Sequence, residues 1–287
     1  MSESTVPTTP ADQPVVNETT VSSTREYPAE PVSFMRRGTR LQGRRQDAWD
    51  AHADSYVVDV PRVVTDTSVH ADYVFDAAAT FGRDADLVVE IGSGLGEAIV
   101  HMAELRPERN YLAVEVYRPG LASTMARIAQ RGLTNVRVVE ANAAEVLETM
   151  LPDDAMSELW LNFPDPWHKK RHNKRRLVRD SFTPLVARTL RSGGLWRLST
   201  DWSGYAEQMR EVLDRTPQFE NVHSGERVGA DSPLTQARQS GVDREVSDEI
   251  DTVGGWAPRF EGRVVTSFEN KAHVAGRIIF DLTYRRR

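Results

Sequence analysis

The chain contains no cysteine. That absence excludes a disulfide scaffold, a thiolate zinc site, an iron–sulfur cluster and a cysteine nucleophile together. Long apolar runs are missing too, none approaching the ~20 residues of a membrane-spanning helix. The sequence opens on Ser, Thr and Glu rather than a basic patch and an apolar stretch, so no secretory leader is expected. A soluble cytoplasmic protein with no membrane partner is the expectation. The 287 residues, 39% of them hydrophobic, are enough for one large domain with a sizeable core.

Charge is unevenly distributed. The net value of -6 comes from 36 Lys and Arg against 42 Asp and Glu. Residues 1–33 hold five acids, one base, five Pro and eleven Ser or Thr, with little to bury, which predicts a disordered acidic tail. Residues 34–45 reverse the sign with five Arg and no acid, opening a basic segment that extends to residue 48. Residues 168–179 add seven bases, again without an acid, leaving a net -14 on the rest. Two basic islands on an acidic body suit a directed contact with phosphates rather than general polyanion sticking.

From residue 70 onward, short β-like runs alternate with helical stretches. Strands are predicted over 87–91, 111–116, 136–140, 158–163 and 195–199, and helices over 98–105, 120–130, 143–150, 176–190 and 205–213. Strand–helix alternation with unbroken apolar strands implies a parallel sheet with helices on both faces. Residues 224–262, rich in Gly, Ser, Asp and Arg, interrupt this rhythm as a long loop. A helix over 266–275 and a terminal strand over 276–284 follow. The domain organisation expected is thus a tail (1–33), a basic segment (34–48) and one folded domain (49–287).

The first strand runs into Gly92-Ser93-Gly94-Leu95-Gly96-Glu97. Glycines there let the backbone turn tightly and approach a ligand. Glu115, at the end of the next strand, is placed to accept hydrogen bonds from the two ribose hydroxyls of an adenosine, and Asn142 could bond the adenine. A dinucleotide fold wants G-x-G-x-x-G and a pyrophosphate at the helix start. Here the spacing is G-x-G-x-G, flanked by the carboxylates of Glu90 and Glu97, which favour a positively charged ligand. The pattern E-x-G-x-G-x-G resembles the first motif of class I S-adenosylmethionine-dependent methyltransferases.

The run from Asn162 to Arg176, N-F-P-D-P-W-H-K-K-R-H-N-K-R-R, is the most specific stretch. Pro164 and Pro166 restrict the backbone around Asp165, and the basic run leads directly from that acid. Such an arrangement suits a nucleic acid whose backbone is held while one base enters a pocket. P-D-P-W-H-K-x-R-H-N-K-R-R resembles the signature of the bacterial tRNA (guanine-N7-)-methyltransferase family. Supporting motifs are the arginine-rich N-terminal segment, A-V-E-V at 113–116, S-T-D-W at 199–202 and T-S-F-E at 266–269.

That resemblance implies a Rossmann-like α/β fold with a mostly parallel seven-stranded sheet, helices on both faces and an antiparallel C-terminal strand. It implies S-adenosylmethionine as cofactor, tRNA as partner, and methylation of a guanosine N7 in the variable loop. Glu90, Gly92, Gly94, Gly96, Glu115, Asn142 and Asp165 are then assigned to the cofactor, and Asp165 also to catalysis. Lys169, Asp201, Thr266, Ser267, Phe268 and Glu269 match substrate-binding positions, and Arg171, His172, Asn173, Lys174, Arg175 and Arg176 an RNA-contacting segment. Asp165, Asp201 and Glu269 are each candidates to favour the charge that develops on the guanine. His168 and His172 lack metal-ligand spacing, so no metal is expected. A methyltransferase for another RNA, a protein or a small molecule is the main alternative. A non-catalytic RNA-binding module and a nicotinamide-dependent oxidoreductase are the others, and the sequence leaves monomer and homodimer equally open.

Overall fold

A computed structural model describes residues 40–63, 65–242 and 248–287. The acidic tail (1–33) and the first part of the basic segment (34–39) lie outside the described residues. In chain order the elements are α1 (Arg44–Tyr56), α2 (Ala77–Phe81), β1 (Leu87–Ile91), α3 (Glu97–Leu105), β2 (Asn110–Glu115), α4 (Arg118–Arg131), β3 (Val136–Glu140) and α5 (Ala143–Glu145). There follow β4 (Met156–Asn162), α6 (Thr183–Thr189), β5 (Leu190–Thr200), α7 (Ser203–Asp214), β6 (Phe219–Asn221), α8 (Pro233–Ser240), α9 (Ser267–Val274) and β7 (Phe280–Arg286). No helix among them is long and apolar enough to cross a membrane.

The seven strands form one sheet in the order β3-β2-β1-β4-β5-β7-β6, parallel from β3 to β5 and antiparallel at β7. Alternate strand residues enter two separate cores. Val89, Leu112 and Val114 join one cluster, whereas Val88, Tyr111 and Ala113 join the other. Both faces are covered, as continuous apolar strands require. α4 shows the helical half of this pattern, burying Leu121, Ala122, Met125 and Ile128 along one stripe. α1, whose side chains are all at least partly exposed, rests on α4 through Arg118, which stacks over Trp49 at 5.0 Å and pairs with Glu140 at 2.7 Å.

The departures from expectation have local causes. The helix read over 176–190 begins only at Thr183, because Pro184 is accepted in a first turn and not in a helix interior. The basic run ahead of it forms a tight 3₁₀ turn, Lys170–Arg175. The helix over 143–150 is one α turn continued by a π turn, Val146–Met150. β5 begins at Leu190, earlier than expected, so Gly193 and Gly194 lie within it, opposite a register shift between Met156 and Glu158. α1, α2, α8 and β6 had no counterpart in the sequence reading.

The described residues of 224–262 hold a helix, α8, and a buried anchor. Asp251, 4% exposed, receives Arg210 of α7 on both oxygens (3.1 and 3.0 Å), Ser232 Oγ (2.7 Å) and Trp256 Nε1 (2.7 Å). Arg210 also lies 4.6 Å from the Trp256 ring, which is fully buried. One buried acid thus ties the segment to the sheet's helical layer.

Candidate active site at the sheet switch point

The chain runs from β1 to β2 and β3 on one side and crosses from β3 to β4 on the other, so a crevice opens beyond the carboxyl ends of β1 and β4. Open α/β sheets bind ligands there. Gly92, Gly94 and Gly96 line this edge with φ of 74°, 58° and 73°. A Cβ on Gly96 would sit 2.5 Å from the Thr124 side chain, and one on Gly120 2.3 Å from the Gly94 carbonyl oxygen. α4 therefore packs directly behind the turn, and only glycine fits both contacts.

Glu115 braces the same turn. Its Oε2 accepts the Gly94 N–H at 2.9 Å, and its Oε1 accepts those of Val116 (2.7 Å) and Tyr117 (3.0 Å). Burial raises its pKa; the three amides oppose that shift, and the negative charge of Asp165 adds to it. Glu90, 3% exposed, accepts a hydrogen bond from Asn162 Nδ2 at 3.0 Å, and Ser199 Oγ donates to Asn162 Oδ1 at 2.9 Å. Glu90 Oε2 is buried and makes no hydrogen bond of standard geometry. Burial, reinforced by the Glu115 charge, pushes Glu90 up to about 7 despite the Asn162 bond. Asn142 is exposed beyond β3, where its Oδ1 caps α5 through the Ala144 N–H at 2.9 Å.

Asp165 is half-buried in the loop after β4, between Pro164 and Pro166. Phe163 and Trp167 on either side hold φ of 51° and 42°, an arrangement non-glycine residues sustain only under external constraint. Arg176 supplies part of it. Buried at 4% exposure, its guanidinium donates to Pro166 O (2.6 Å), Gly204 O (3.0 Å) and Gln208 Oε1 (2.7 Å), over the Tyr205 ring at 4.9 Å. The last arginine of the run thus fastens the loop from inside, unlike the exposed cations before it.

Lys169, Arg171, Lys174 and Arg175 are exposed along the 3₁₀ turn, with Arg175 over the Trp167 ring at 4.9 Å. With its amide turned to donate, Asn173 reaches the carbonyl oxygens of Trp167 (2.9 Å) and Lys169 (3.3 Å). His172 meets the Trp167 ring edge-on at 5.9 Å. Desolvation and the charges of Arg175, Arg171 and Lys169 hold its pKa below the ordinary imidazole value.

The expected substrate positions divide. Thr266 caps α9, its Oγ1 accepting the Glu269 N–H at 3.1 Å. Phe268 packs on Phe163 with ring centres 5.5 Å apart, which brings the 266–269 strip against the Asp165 loop. Ser267 donates its N–H and Oγ to Glu97 Oε2, both at 2.8 Å. Asp201 and Glu269, however, are neutralised in the interior. Asp201, 3% exposed, pairs with Arg277 at 2.8 Å. Glu269, fully buried, pairs with Arg259 (3.1 Å) and Arg263 (3.0 Å). Both carboxylates are thus compensated by buried arginines. Asn162 and Ser199 open motifs that the sequence displays, but no role follows for them from the sequence; the sole signal is a polar residue closing an otherwise apolar strand.

The acidic crevice fits a nucleoside donor that carries positive charge: a turn with glycine at three positions and two carboxylates at its ends. Comparison with known proteins agrees. The sequence profile of the family described as "Putative methyltransferase" matches residues 84–245. A tRNA (guanine-N(7)-)-methyltransferase of Paenarthrobacter aurescens strain TC1 is 59% identical over 91% of this chain and 93% of its own length. Enzymes of the same name from Arthrobacter sp. strain FB24 and Cutibacterium acnes are 58% and 41% identical, covering 91% and 89% of this chain and 88% and 83% of their own lengths.

Proposed function

Because the chain belongs to the tRNA (guanine-N7-)-methyltransferase family, we propose that it methylates N7 of a guanosine in the tRNA variable loop. S-adenosylmethionine, the donor, supplies an electrophilic methyl group on a positively charged sulfur. Glu90, Gly92, Gly94, Gly96, Glu115 and Asn142 would hold it, with Asp165 at the rim facing the acceptor. Guanine N7 carries an in-plane lone pair and no proton, so the chain need not provide a strong base. Its contribution is alignment, which carries a large part of such a barrier. The purine becomes cationic as it is alkylated, and the Asp165 carboxylate, aimed by two prolines, favours that charge.

The observation that carries this reading is the direct passage from an acidic cofactor turn, through Asp165, into the exposed cations 169–175. Those cations, with Lys169 nearest the pocket loop, would hold the tRNA backbone while the 266–269 strip borders the base. The first basic island supports the same partner. Arg44 and Arg45 line a groove of about 360 Å³ between α1 and α4, opposite Arg127. An enzyme acting on maturing tRNA works in the cytoplasm.

The test is transfer of a tritiated methyl group to bulk tRNA, with nuclease digestion to map the labelled base. Label in N7-methylguanosine of the variable loop is expected, and Asp165→Ala should abolish turnover while sparing tRNA binding. Wild-type rates in that variant would refute the role of Asp165. Label surviving nuclease would refute the substrate.

A further inference from the structure

Glu97 is the first residue of α3, directly after the last glycine of the turn. Its Oε2 accepts both the N–H and the hydroxyl of Ser267 at 2.8 Å, while Arg127 of α4 lies 3.5 Å from its Oε1. Ser267 in turn opens α9, so one carboxylate bridges the starts of two helices 170 residues apart in sequence. Acceptance of an amide and a hydroxyl by a charged oxygen at a helix start is favourable on two counts, the charge-assisted bonds and the helix dipole.

The 266–269 strip has two further anchors, Phe268 against Phe163 and Glu269 among Arg259 and Arg263. Glu269 is fully buried, whereas the Glu97 side chain keeps 22% of its surface open. The buried anchors fix the strip to the protein interior. The Glu97 bond fixes it to the cofactor turn.

We propose that Glu97 is a positioning residue: it clasps the strip that borders the acceptor base to the turn that holds the methyl donor, and so sets the distance between the two. This inference rests on the functional reading above, in which the turn and the strip serve donor and acceptor. A partly exposed contact of this kind contributes little to stability. Alignment is far less forgiving, because a displacement of about 1 Å between reacting groups can cost about a hundredfold in rate. Loss of the clasp should therefore be visible in turnover long before it is visible in folding.

The experiment uses the full chain and two variants, Glu97→Ala and Glu97→Gln. The readouts are the methylation rate at saturating tRNA and donor, calorimetric affinity for S-adenosylhomocysteine, tRNA affinity with and without that product, and the melting temperature. Glu97→Ala is expected to slow the saturated rate by roughly 10- to 100-fold. Its melting temperature should stay near wild type, its S-adenosylhomocysteine affinity should fall by far less than the rate, and any effect of that product on tRNA affinity should vanish. Glu97→Gln, whose amide oxygen still accepts both Ser267 bonds, should recover most of the rate. An active wild type beside an equally active Glu97→Ala would overturn the clasp alone. So would a rate loss that follows melting temperature, or one that glutamine fails to rescue. A wild type that methylates no guanosine would overturn the functional reading and the clasp with it.

Discussion

The carboxyl of Glu90 is held near 7 by burial, with Glu115 adding to the shift, so its native form keeps a proton that the unfolded chain releases near 4.5. Between those two values the native state binds more protons than the unfolded state. Stability therefore declines as pH rises from about 4.5 to 7 and is level above that. Glu90→Gln, which has no charge to bury, is expected to melt higher than wild type at pH 8, its stability greater by about 3 kcal/mol for a shift of this size. The difference should vanish toward pH 4.5, and donor affinity at pH 8 should fall. Equal melting curves at pH 8 would contradict the assignment. Glu90 and Glu115 were legible in the sequence because they sit at fixed offsets from the glycines. The partners that define their chemistry were not: Asn162 reaches Glu90, and Ser199 reaches Asn162, only through strand pairing. The same holds for Asp201 and Glu269, read as substrate carboxylates. Nothing in the linear order shows Arg277 folding onto one, or Arg259 and Arg263 enclosing the other.

Elements show the same division. β1 to β5 and their helices could be read from apolar runs and breakers, since each signal is local. The described part of 224–262 could not, because its composition resembles that of a loop while its anchors, Arg210 and Asn221 among them, are distant in sequence. Burial alone would raise the Asp251 carboxyl, but bonds from Ser232, Trp256 and Arg210 outweigh it and hold it at about 2. The unfolded value is 3.8, so this contribution is complete above about pH 4 and is lost as pH falls toward 2. Asp251→Asn should therefore lower stability by about 2 kcal/mol at neutral pH. The gap from wild type should close in acid, as urea titrations at pH 7 and pH 2.5 would reveal. A constant gap at both pH values would show that the charge is immaterial.

Across the whole molecule, a negative body presents cations in two places, the 3₁₀ turn after Asp165 and the α1–α4 groove. Each phosphate contact contributes to the salt dependence of binding through released counterions. Lys169→Ala with Arg171→Ala should thus weaken tRNA binding and reduce the slope of log affinity against log salt by about 1–2. S-adenosylhomocysteine affinity should not change. Arg176→Ala should instead lower the melting temperature, because that guanidinium holds Pro166, Gly204 and Gln208 together. An unaltered slope in the double variant would move the RNA contact elsewhere. The charge run was plain in the sequence, but the inward turn of its final member depends on where α7 comes to lie.

Three amides point at the Glu115 carboxylate and fix the direction of its remaining lone pairs, so under the proposed function a ribose would meet acceptors whose orientation the protein's own backbone sets.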